Sequence, residues 1–81
     1  MDITGPQCRA ARALLNMRQD DLAAASRVSK RTIANFEQEE RQANGATLEA
    51  LRRALEAAGV EFIPENGGGA GVRLKKPGSS E

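Results

Sequence analysis

The sequence predicts a mainly α domain of four short helices, closed by a C-terminal β-hairpin or strand pair. Three observations carry this. Leu48, Leu51, Leu55 and Ala58 recur at helical spacing and stop at Gly59. Two shorter apolar-periodic stretches, "RQDDLAAAS" and "SKRTIANFEQ", are separated by almost no chain. After Gly59 the composition turns to Val, Phe and Ile in "VEFI" and again to "VRL", which suits strands.

The first helix is expected from Thr4 to about Leu15. "TGPQ" has the shape of a capping box, with Thr4 as cap, Pro6 in the first turn and Gln7 three residues on. Cys8, Ala11 and Leu15 share its inner face, and Asn16 ends it. The second helix is about two turns long. Asp20 and Asp21 lie near its start, where the helix dipole favours negative charge, and Leu22 and Ala23 face inward. Ser29 caps the third helix, which runs to about Gln38 with Ile33 and Phe36 on the buried side. "EERQANGA" reads as a loop punctuated by Asn-Gly. The fourth helix spans about Ala46 to Ala58. "PENGGGAG" is a flexible connection, and "KKPGSSE" is a tail. The expected organisation is therefore 1–59 as the helical domain, 60–74 as a β extension and 75–81 as a flexible tail.

The chain has 81 residues and a net charge of +1, with Phe36 and Phe62 its only aromatic residues. The core must then be Leu, Ile, Val and Ala, in one small domain. With one cysteine and no histidine, a disulfide framework and a Cys/His zinc cluster are both excluded. Cys8 reads as a small buried hydrophobe. No apolar run approaches the ~20 residues of a membrane span, and no secretory signal is evident after Met1. The expected location is the cytoplasm. No cofactor, metal or small-molecule ligand is suggested.

Charge is unevenly spread. Residues 9–31 carry Arg9, Arg12, Arg18, Arg27, Lys30 and Arg31 against only Asp20 and Asp21. Lys30 and Arg31 fall in the first turn of the third helix, where each cation costs about 0.3–1 kcal/mol against the dipole. Helix stability does not explain them; an anionic partner would.

Helix, tight turn and helix, with a basic exposed face on the second, is a helix-turn-helix pattern. Its buried set would be Leu22, Ala23, Val28, Ile33 and Phe36. With Ala11-Arg12, Gln19, Leu22-Ala23, Val28-Ser29, Thr32-Ile33 and Phe36-Glu37, followed by Leu48, Leu51 and Leu55, the chain resembles the Xre-type, phage-repressor-like regulators over roughly residues 3–60. The terminal "GVEFIP…GVRL" is similar to an extension on some small bacterial members. The resemblance implies a compact DNA-binding domain whose third helix, about 29–38, enters the major groove of a double-stranded operator. Lys30 and Arg31 would then meet phosphate or guanine, Asn35 adenine, and Ser29 a phosphate. Gln19 would meet the DNA backbone at the start of the second helix. Arg41, Gln42 and Asn44, in the following loop, are further candidates. Arg18 stands where the family often has a Ser or Thr cap; the cap is lost, and the Arg18 side chain is available to a phosphate instead. The resemblance also implies an ion pair between Arg12 and Glu37.

The leading expectation is a sequence-specific transcriptional regulator, repressor-like or a self-regulating antitoxin. A protein-interaction module that keeps the fold is the alternative, favoured by the acidic "EQEE". An enzyme is the poorest reading, because Glu37 and Asp20 have no second group suggesting a pocket. Specificity normally needs two half-sites, so a homodimer is expected. Val60, Phe62, Ile63, Val72 and Leu74 are its candidate contacts: the stripe of the fourth helix is expected to be satisfied at Gly59, a lone hairpin leaves edges open, and a second chain would bury Phe62. The alternative is that the hairpin folds back on the fourth helix of its own chain.

Overall fold

The computed structural model describes residues 2–38 and 43–75. Among them lie α1 (Gly5–Leu15), α2 (Gln19–Ser26), α3 (Lys30–Glu37), α4 (Gly45–Ala58), β1 (Val60–Ile63) and β2 (Gly71–Leu74).

Each helix start is chemically specified. Thr4 Oγ1 accepts from the Gln7 N–H at 3.2 Å and Gln7 Oε1 accepts from the Thr4 N–H at 2.9 Å, so both halves of the capping box form. Ser29 Oγ accepts from the Thr32 N–H at 3.1 Å. Asn44 Oδ1 accepts from the Thr47 N–H at 2.8 Å, which draws the start of α4 back to Gly45. Arg18 has no oxygen with which to cap α2; Asp21 instead accepts from the Arg18 N–H at 3.0 Å. Two helices end in the left-handed region without glycine, at Asn16 (φ 54°) and Arg27 (φ 63°).

The core draws on all four helices and β1. Ala11 from α1, Leu22 from α2, Ile33 from α3, Leu51 and Leu55 from α4, and Val60 from β1 are all fully buried. Ala23, Val28, Leu15 and Leu48 pack against this group while staying partly exposed. Ile3, only 3% exposed, joins it ahead of the first helix.

α1 approaches α3 closely at one point. A Cβ on Gly5 would run into the carbonyl oxygen of Phe36 and meet Glu37 Cα at 3.0 Å, so a residue without a side chain is required where the start of α1 meets the end of α3.

β1 and β2 pair antiparallel, with Val60 opposite Leu74 and Phe62 opposite Val72. The hairpin lies against α1 and α4 of its own chain. Gln7 Nε2 donates to the Gly71 carbonyl at 2.9 Å, and the Lys75 N–H donates to the Gly59 carbonyl at 2.8 Å. The hairpin thus folds back on its own chain, the alternative left open by the sequence, and two expectations attached to pairing between chains are corrected. The stripe of α4 is not complete without the strand, because Val60 shares its core. Nor does Phe62 need a second chain for burial, since it is 9% exposed within its own. Burying two such side chains stabilises the fold by about 1.5–3 kcal/mol each, so Gly59 ends a helix without ending the packed unit.

Candidate nucleic-acid interface

α2 and α3 are joined by Arg27, Val28 and Ser29 alone. Ser26 shapes the turn: its hydroxyl donates to the Leu22 carbonyl at 2.7 Å and accepts from the Val28 N–H at 3.2 Å. The sequence pattern does not single out Ser26, although a Ser in the last turn of a helix is a common local hydrogen-bonder.

α3 divides cleanly. Ile33, Phe36 and Glu37 are buried, whereas Lys30, Arg31 and Thr32 are exposed and Asn35 is half-buried. Thr32, which carries no sequence signal of a contact role, faces solvent on the first turn and accepts from the Ser29 hydroxyl at 2.9 Å. Among the described residues Arg31 forms no ion pair. Lys30 Nζ lies 3.3 Å from Asp20 Oδ1, and Arg18 Nη2 lies 3.3 Å from Asp21 Oδ1.

Beneath this face runs a buried polar network. Arg12 grips Glu37 with one edge of its guanidinium, Nε to Oε2 and Nη2 to Oε1, each at 2.7 Å. Its Nη1 donates to the Met17 carbonyl at 3.0 Å. Gln19 Nε2 donates to Glu37 Oε1 at 3.1 Å, and the Cys8 thiol donates to Oε2 at 3.2 Å. Arg9 Nη1 reaches the Glu37 carbonyl at 2.8 Å. Burial alone would push the Glu37 carboxyl up, but hydrogen bonds from Arg12, Gln19 and Cys8 hold it below the ordinary carboxylate value. Burial, reinforced by Glu37, pushes the Cys8 thiol up, so it stays protonated and can donate. The bond to Glu37 raises the Arg12 pKa and keeps the guanidinium charged.

Gln19 therefore faces inward in part, its amide tied to Glu37, with its backbone at the head of α2. Arg12, Asn16, Met17, Arg18, Gln19, Asp20 and Lys30 line an open recess of about 490 Å³ between the heads of α2 and α3. Asn44 lies apart from the recess as the cap of α4. Arg41 and Gln42 lie outside the described residues.

A family model described as helix-turn-helix, HTH_3, matches residues 9–62. The chain belongs to this helix-turn-helix family. Its members are the Xre, Cro and lambda-repressor-like DNA-binding regulators. In this helix-turn-helix protein the matched region begins within α1, covers the α2–turn–α3 unit and ends inside β1. No curated protein matches the chain significantly. Among the described residues no helix is long and apolar enough to cross a membrane.

Proposed function

We propose that the protein is a sequence-specific transcriptional regulator, repressor-like and without catalytic activity, that lays α3 in the major groove of its operator. The observation carrying this reading is the outer face of α3. Lys30, Arg31 and Thr32 stand in solvent on its first turn, while the opposite face supplies Ile33 and Phe36 to the core. None of these outward-facing side chains enters the core, and two of them oppose the helix dipole. Arg31 reads guanine and Asn35 reads adenine, in the pairings that suit their donors and acceptors. Arg18, Ser29 and the backbone N–H of Gln19 hold phosphates, and Lys30 reaches a guanine edge.

The regulator works as a homodimer, one α3 per half-site. Leu74, 50% exposed, and the half-buried Ile63 and Val72 are the hairpin residues available for the contact. Val60 and Phe62 serve the chain's own core. Sedimentation at micromolar concentration tests this: Leu74→Lys should be monomeric where the unaltered protein is dimeric, and a monomeric unaltered protein removes the proposal.

DNA binding itself is tested by titrating a labelled duplex mixture at rising salt. The log of the binding constant should fall linearly with log salt, by about 0.9 for each phosphate neutralised. A salt-independent signal, or none, would contradict the reading.

A further inference from the structure

The two ion pairs at the heads of α2 and α3 contribute little to the fold. Asp20 and Lys30 are 60% and 59% exposed, and their charged atoms are 3.3 Å apart; pairs of this kind are worth little in stability. Their position is the unusual feature. Asp20 lines the same open recess as Arg12, Arg18 and Lys30, so a carboxylate stands among the cations offered to a phosphate. The nearby pair of Arg18 and Asp21 repeats the arrangement.

We propose that Asp20 is a specificity-determining residue, whose carboxylate occupies Lys30 in place of a phosphate and so suppresses binding to non-operator DNA. The inference rests on the DNA-binding reading above. Non-specific complexes are held by phosphate neutralisation almost alone. A cation already engaged by a carboxylate gains less from such a complex, and Asp20 itself repels the polyanion. The same pair bridges α2 to α3 and draws the Lys30 ammonium toward the head of α2. A docked operator complex offers Lys30 a guanine edge; a loosely sliding one does not. Discrimination is raised by penalising the wrong partner as well as by favouring the right one.

The test compares three full-length proteins on two duplexes, the selected operator and a random sequence, across a salt series. The proteins are the unaltered chain, Asp20→Asn and Glu65→Gln, the last removing an exposed carboxylate on the hairpin connection. Circular dichroism melts check that all three fold. Asp20→Asn should bind random DNA about three- to tenfold more tightly and steepen its salt slope by about 0.9, the release of one further counterion. Operator affinity should change by no more than about twofold, so the specificity ratio falls. Glu65→Gln should leave both affinities near those of the unaltered chain. Unchanged binding of Asp20→Asn to random DNA, an equal rise on both duplexes, or a rise matched by Glu65→Gln would each overturn the inference while leaving the DNA-binding reading intact. If the unaltered chain binds neither duplex, both fall.

Discussion

Arg12 on α1 and Glu37 at the end of α3 meet in a bidentate ion pair, both contacts at 2.7 Å, with side chains only 16% and 2% exposed. The pair brings α1 against α3 and anchors Gln19 at the head of α2. The groups that would face DNA are thus held from below by one buried carboxylate. Removing either partner strands a charge in the core.

Single replacements should therefore be severe and the double replacement mild. Arg12→Met or Glu37→Leu should each cost about 3–5 kcal/mol, whereas the two together should be far less damaging, because a mostly buried pair is expensive to break but replaceable by packed apolar side chains. Urea unfolding of the four proteins gives the coupling energy. Additive losses would show that the pair does not act as a unit.

The same carboxylate makes stability depend on acid. Burial raises its pKa, but the hydrogen bonds from Arg12, Gln19 and Cys8 prevail and leave it lowered from 4.5. A depressed folded pKa means that the unfolded chain takes up a proton first. The contribution is fully present above the unfolded value and disappears as pH falls through the folded one. Urea midpoints should hold steady from neutrality to about pH 5 and then drop. In Glu37→Gln that part of the drop should be missing, from a lower starting stability. An acid limb identical in the two proteins would contradict the assignment.

Gly5 and Gly68 should respond differently to alanine. At Gly5 a methyl group meets the Phe36 carbonyl and Glu37 Cα, and α1 must move away from α3. Overpacking of this kind costs about 1–3 kcal/mol. Gly68 has open space around it and no positive φ, so Gly68→Ala should change the melting temperature little. Equal effects would mean that the close approach of α1 to α3 is not a constraint on folding.

The helices were legible because each leaves local marks. Ser29 ahead of Ile33 and Phe36, Thr4 ahead of Gln7, and Gly59 after the Leu51–Leu55 stripe are caps and periods readable within a few residues. The strands were legible from Val60, Phe62 and Val72 for the same reason. Where the hairpin packs was not, because an apolar strand carries no mark of which surface it will cover. Gly5 read as part of a cap, and its contact with Phe36 joins residues far apart in the chain. The place of Arg12 between Cys8 and Leu15 marks a charge that needs a partner, but Glu37 as that partner came from resemblance alone. Gln19 and Cys8 as donors to Glu37 had no local signal, since nothing at positions 8, 19 and 37 announces that three helices converge there.

The central claim is that the outer face of α3 reads bases. Selection of bound sequences from a pool of random duplexes tests it most directly, run with the unaltered chain, Arg31→Ala, Asn35→Ala and Gln19→Ala. The unaltered chain should return a palindrome whose half-sites are about one helical turn, ~34 Å, apart. Arg31→Ala and Asn35→Ala should each lose preference at one position per half-site, worth about 1–3 kcal/mol, while Gln19→Ala should weaken binding to all sequences and keep the motif. A motif unchanged in both α3 variants would contradict the account.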